Sequence, residues 1–189
     1  WADGEAICRR SWIRTPAGLP PGDYRLLVAA GAGAPAAFDL AVTASARLFE
    51  APAGATGVNA TLGEAIQLAG YSVTTTADSL VVSLIWHALG TPAAGEKVFV
   101  HLVDGEGTLV AQSDALPAAG YTTDQWIAGE YVVDVHTLAL PAALAATENW
   151  GERVQLRTGM YDPITGNRLP VFDGEGNPVP DGAVALPLP

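Results

Sequence analysis

The run SLVVSLIWH at 79–87 is apolar at nearly every position. A strand with one solvated face alternates, whereas a strand apolar on both faces sits in the middle of a packed sheet. The turn-rich GTPAAGE at 90–96 follows, and then a second run, VFVHLV, at 98–103. DGEG at 104–107 leads into LVAQSD at 109–114. Further alternating runs lie at 24–29, 38–42, 66–75, 131–138 and 154–161. Runs of this length, separated by Gly, Pro, Asp and Asn, predict an all-β fold: an antiparallel β-sandwich, Ig/Greek-key-like or jelly-roll-like. The 21 glycines and 14 prolines supply the turns, and 49% hydrophobic against 15% charged residues supplies a core. Helical pattern is confined to AALAAT at 142–147.

The chain echoes itself. WADGEAICRRSWIRTP at 1–16 aligns without gaps to WIAGEYVVDVHTLALP at 126–141, sharing Trp, Gly, Glu and the final Pro. Ile7 falls on Val132 and Ile13 on Leu138. Each segment then continues through a Gly-plus-acid turn into a strand, GDYRLLVA after the first and GERVQLRTG after the second. The order of parts predicts that residues 1–50 are the C-terminal part of a first sandwich-like unit, a partial second copy at the N-terminus. Residues 51–57 are then a linker of Ala, Pro and Gly, and residues 58–189 a complete sandwich. A partial unit leaves bare strand edges, which makes a dimer an expectation. The alternative is one sandwich built from all 189 residues, with a chance WxxGE match.

Charge narrows the partners. The net charge is −11, Lys97 is the only lysine, and the arginines are scattered. Phosphate-binding surfaces need clustered positive charge, so neither nucleic acid nor an anionic membrane surface is expected. A cation or a neutral ligand such as a sugar suits the balance better, and acidity by itself keeps a domain soluble. Cys8 is the single cysteine, so an internal disulfide is impossible. No apolar run approaches the ~20 residues of a membrane helix, so this segment is not expected to insert into a bilayer. No signal-peptide pattern is present. A chain opening at Trp1 is compatible with a piece of a longer, anchored protein.

Catalytic motifs are lacking: there is no GxSxG, HExxH or P-loop, and no spacing organises Ser, His and Asp. Metal chemistry has two candidates. Asp134 and His136 lie two apart on a predicted strand and so share a face. With His101 on another predicted strand they would form an O/N cluster for a transition metal; the plainer reading is a set of hydrogen-bonded histidines. For Ca2+, DGEGNPV at 173–179 offers Asp173, Glu175 and Asn177 at 1-3-5 spacing, and DGEGTLV at 104–110 is its echo. Pro178 stands where a calcium loop needs Gly, and Val184 where it needs a bidentate Glu. A pair of hairpin turns, with Gly at positive φ and Asp bonding its own backbone, is the simpler account.

Carbohydrate is the ligand class with the most residues behind it. Tyr121, Asp124, Gln125 and Trp126 fall within six positions, with Tyr131 and Trp150 available to extend the surface. An aromatic face covers the apolar side of a pyranose while amides and carboxylates take its hydroxyls. The competing reading makes Trp126 a packing residue and Glu130 a backbone ligand, because Trp1 and Glu5 repeat the pair. Trp86, on a doubly apolar strand, is expected in the core.

Residues 62–170 also resemble a known region. IQLAGYSV (66–73), LVVSLIWHA (80–88), VFVHLVDGEGTLVAQSDALP (98–117), YTTDQWIAGEYVVDVHTLALP (121–141) and TGMYDPITGNRLP (158–170) carry the resemblance. The region is similar to soluble C-terminal extensions of bacterial polytopic glycosyltransferases akin to dolichyl-phosphate-mannose protein mannosyltransferases. None of these motifs is catalytic. The resemblance implies a non-catalytic, extracytoplasmic accessory domain of a membrane-anchored or cell-surface protein, with the chemistry in a membrane part and other domains of the parent as partners. A structural or interaction module without a small ligand is the second reading, and a carbohydrate-active enzyme the third.

Overall fold

A computed structural model describes residues 15–29, 33–43 and 46–188. The chain divides into two compact units, residues 1–44 and 45–189. The WADGE echo at 1–5 lies outside the described residues.

Among the described residues, the first unit forms an antiparallel hairpin, β1 (Gly22–Val28) and β2 (Ala36–Val42), with Leu26 opposite Phe38. Most of its side chains are exposed, including Leu27, Phe38 and Leu40.

The second unit is an all-β sandwich of two open antiparallel sheets. Its strands are β3 (Thr56–Leu62), β4 (Ile66–Thr75), β5 (Ser79–Ala88), β6 (Lys97–Asp104), β7 (Leu109–Ala115), β8 (Tyr131–Ala139), β9 (Val154–Tyr161), β10 (Val171–Phe172), β11 (Pro178–Val179) and β12 (Val184–Leu186). One sheet runs β11-β10-β3-β4-β5-β8 and the other β12-β9-β6-β7. The β6–β7 hairpin belongs to the second sheet, yet the chain returns to lay β8 beside β5. That return is a Greek-key crossover. The first strand, β3, starts at Thr56, within the stretch read from sequence as a linker, and Leu48 already bridges to Tyr131.

The doubly apolar run is the central strand β5, paired with β4 on one side and β8 on the other. Its Leu80, Val82, Leu84, Trp86 and Ala88 are fully buried and meet Val98, Val100, Leu102, Leu156 and Met160 from the facing sheet in one core. Outer-face Ile85 is buried as well. The alternation of β8 turns Val132, Asp134, His136 and Leu138 inward. Two ionisable side chains thus enter the core, because a period of two carries every second residue to one face whatever its polarity.

The echoed DGEG stretches are matching hairpin turns, between β6 and β7 and between β10 and β11. Asp104 Oδ1 accepts the amides of Glu106 and Thr108, and Asp173 Oδ1 those of Glu175 and Asn177. Gly107 and Gly176 take the positive φ. The Asn177 amide and side chain hold the Asp173 carboxyl below its ordinary value. AALAAT supplies a single helical turn, Ala142–Ala145. Among the described residues no helix is long and apolar enough to cross a membrane.

Candidate functional site

The residues singled out for carbohydrate lie mainly in the crossover between β7 and β8. Two short 3-10 turns, Pro117–Ala119 and Thr123–Gln125, fold this link back over the end of the sandwich. Trp126 is wholly buried, and its indole Nε1 donates to the Tyr121 carbonyl oxygen at 3.1 Å. Its ring belongs to the core cluster and presents no face to a sugar. The next residues turn: Gly129 adopts φ 86°, and the Glu130 amide donates to the Ile127 carbonyl at 3.0 Å. The Glu130 side chain completes the turn, Oε2 accepting the Ile127 N–H at 3.1 Å. Every fixed residue of WxxGE therefore acts locally: the indole anchors, the Gly turns left-handed and the carboxylate caps the turn.

Glu130 is 2% exposed. A carboxylate taken out of water needs a counter-charge and filled lone pairs. Arg47 supplies the charge, with Nη1 2.5 Å from Glu130 Oε2 and 3.1 Å from the Gln125 carbonyl oxygen. The same nitrogen contacts the Tyr121 hydroxyl, and the guanidinium lies 5.7 Å from the Tyr121 ring centroid, within cation–π range. The Tyr121 hydroxyl sits 3.0 Å from both Glu130 Oε1 and the Gln125 carbonyl. Burial, with the Glu130 charge second, pushes the Tyr121 phenol up to about 12. Tyr121 stays a neutral donor at any physiological pH.

Asp124 accepts the Thr122 hydroxyl at 2.5 Å, and Gln125 contributes chiefly its backbone carbonyl. Tyr131 points to the outer face of the larger sheet. There it stacks on His87, with ring centroids 4.4 Å apart and planes 9° from parallel. His87 Nδ1 is 3.1 Å from Gln67 Oε1, and Gln67 Nε2 donates to Asn59 Oδ1 at 2.6 Å. These four side chains form a row across β3, β4, β5 and β8. Trp150 lies elsewhere, beside Thr75 and Leu188. Thr75 is at the β4–β5 turn and Tyr131 pairs with His87 near the other end of β5, so Trp150 and Tyr131 occupy opposite ends of that sheet.

No protein-family model, curated protein or solved structure matches this chain.

The histidines split. Asp134 and His136 are both 2% exposed and adjoin inside the sandwich, with His136 Nε2 2.9 Å from Asp134 Oδ2. His101 is on the outer face of the smaller sheet, 3.4 Å from Asp114 Oδ2. Desolvation lowers its pKa, partly offset by the Asp114 charge. The three do not converge, and no group of three or more His, Cys, Asp or Glu able to hold a metal ion occurs among the described residues.

A different trio does converge. Ser113 Oγ lies 2.9 Å from His136 Nδ1, which places Ser113, His136 and Asp134 in a continuous chain. Sequence spacing hides this, because Ser113 comes from β7 in the other sheet. Asp134 also accepts the Trp86 indole N–H at 3.3 Å and the Ala118 amide at 2.8 Å. Ala118 and Ala119 both have positive φ, a conformation that costs non-glycine residues about 1 kcal/mol or more each. The buried carboxylate thus holds a strained turn and ties the two edge strands together. Each donor to it would be orphaned by its removal.

Proposed function

We propose that the chain is a non-catalytic accessory β-sandwich of a longer extracytoplasmic protein of the glycosyltransferase-like kind, and that its 116–130 crossover is an anchoring device. The observation that carries this reading is the fate of the aromatic loop. Trp126 fills the core, while Tyr121 and Glu130 are engaged by Arg47 and by backbone. A ligand site keeps polar groups in reserve for its ligand; here they are satisfied internally. The resemblance of residues 62–170 to soluble extensions of membrane glycosyltransferases supports the context, with the other domains of such a parent as partners.

A second reading has one observation in its favour, the Asn59–Gln67–His87–Tyr131 row on the outer face. It combines an aromatic surface with two amides, the mixture that suits a glycan lying along a sheet.

A glycan-array screen of the intact chain, with Tyr131→Ala as control, separates the two. The accessory reading expects a blank array from a protein that unfolds cooperatively. Selective binding lost in Tyr131→Ala establishes the second reading. Hydrolysis of a nitrophenyl ester that vanishes in Ser113→Ala would overturn the non-catalytic part of the proposal.

A further inference from the structure

One buried side-chain polar atom among the described residues has no hydrogen-bond partner: Glu96 Oε2. Glu96 is only 7% exposed. Its backbone is fixed, since the amide donates to Thr123 Oγ1 at 2.9 Å and that hydroxyl donates to the Ala94 carbonyl at 2.6 Å. Glu96 is among the residues lining a cavity of about 300 Å³ formed by the β3–β4 turn, the β5–β6 link and Leu169. The walls are mainly apolar, with Leu62, Ile66, Pro92 and Leu169 among them, and Glu64 stands exposed at the rim.

A carboxylate placed among apolar walls with a buried oxygen left unpartnered costs stability unless something binds it. Burial, reinforced by the nearby Asp162 charge, raises the Glu96 pKa. A cation bound beside Glu96 would offset both effects. Calcium or magnesium would want six or more oxygens and a transition metal three or more His, Cys, Asp or Glu ligands, whereas this cavity offers two carboxylates in an apolar frame. An ammonium group offers several N–H donors and one positive charge in a compact head. The apolar walls suit a hydrocarbon stem behind that head, and the cavity volume is at the small-molecule scale. Glu64 at the mouth and the chain's net charge of −11 attract cations to it.

We propose that this cavity is a binding site for a primary ammonium carried on a short apolar stem, with Glu96 as the buried counter-ion. The chemistry is shared by free alkylamines and by the lysine side chain of a peptide. The proposal stands apart from the accessory reading above, because no residue of the 116–130 crossover lines the cavity and Thr123 holds only the Glu96 backbone.

The test is a titration of the isotopically labelled intact chain followed by amide shifts. One arm uses n-butylammonium chloride, one uses n-butanol as the neutral isostere, and one uses N-acetyl-lysine methylamide. Saturable shifts at 62–66, 91, 93–96 and 169 are expected with butylammonium or the lysine amide. Butanol should bind at least tenfold more weakly. Glu96→Gln keeps the shape of the side chain and should lower ammonium affinity at least tenfold while the remaining spectrum stays folded. Affinity should also weaken as pH falls and Glu96 takes up a proton. The tighter of the two ammonium arms identifies the source. The proposal is overturned if neither ammonium shifts these amides at tens of millimolar, if butanol binds equally well, or if Glu96→Gln binds as the parent does.

Discussion

Two antiparallel strand pairs in this molecule share a sequence layout and differ in their surroundings. The β1–β2 hairpin starts at Gly22-Asp23 and sets Leu27 opposite Ala37; the β9–β12 pair follows Gly151-Glu152 and sets Leu156 opposite Leu186. Leu27 and Leu156 stand at the same distance from their glycine. Leu27 is 61% exposed, and Leu156 is fully buried. Pairing is thus a local outcome of turn and β-propensity, whereas a core needs a second layer. A two-stranded ribbon has no opposite face to bury against and is marginal in water. In the larger unit the same kind of pair lies over Trp86, Leu84 and their neighbours and becomes part of the cluster.

The most direct way to break this comparison is to truncate both leucines. Leu156→Ala should cost about 3 kcal/mol, the usual result of opening a cavity in a packed core. Leu27→Ala should change stability by less than about 0.5 kcal/mol. Urea unfolding of the two variants measures both. Equal costs would mean that the hairpin is covered in solution and that the contrast is not a property of the molecule.

The boundary between the units gives the next effect. Arg47 lies just after Ala44, where the first unit ends, yet it is an integral part of the sandwich. Arg47→Ala leaves Glu130 buried without its cation and should cost about 2–3 kcal/mol. A fragment of residues 45–189 should keep the stability of the larger unit, and one of residues 51–189 should lose as much as Arg47→Ala does. Two fragments melting together would instead place the boundary at the linker inferred from composition.

What the sequence discloses follows the same division between local and long-range causes. Runs at 66–75, 79–87, 98–103, 109–114, 131–138 and 154–161 are strands because alternation and propensity are local signals. Strand β3 escapes that reading: TGVNATL contains Gly57 and Asn59, its register against the next strand, β4, shifts between Gly57 and Ala60, and its other partner, β10, comes from far along the chain. The shared face of Asp134 and His136 is legible from their spacing, but which face it is depends on the sheet opposite. Ser113 reaches His136 only through the crossover. Arg47 looks like one scattered arginine, and Glu96 like part of a turn-rich link. Both acquire meaning from burial, which no single stretch of sequence records.

Burial also works against the larger unit at one position. Glu96 has its folded-state pKa raised by desolvation, so the folded protein holds that proton more tightly than the unfolded chain. Stability linked to it is present below the ordinary carboxylate range and is lost as pH rises through the raised value. Glu96→Gln should therefore stabilise the protein at pH 7 by about 1 kcal/mol, with the gain vanishing near pH 4. Thermal melts across that range test the sign. A gain that grows towards acid would contradict the desolvation account.

The smallest effect sharpens the comparison most, because it holds chemistry constant. The hairpin has its own Arg–carboxylate pair: Arg25 Nε lies 3.1 Å from Asp39 Oδ1, and the two side chains are 68% and 83% exposed. The sandwich pair Arg47–Glu130 is 18% and 3% exposed. Water screens the first pair, and holding two long side chains together costs entropy, so the coupling should be about 0.3 kcal/mol. It should disappear in 1 M salt, where the Debye length is about 3 Å. A double-mutant cycle on Arg25→Ala and Asp39→Ala measures the coupling free of other changes. Coupling above about 1 kcal/mol would show that the hairpin lies in a less watery environment than its exposure implies. Coupling near zero, beside a large Arg47→Ala cost, assigns the difference between the two pairs to burial and to the further partners Arg47 has in Tyr121 and the Gln125 carbonyl.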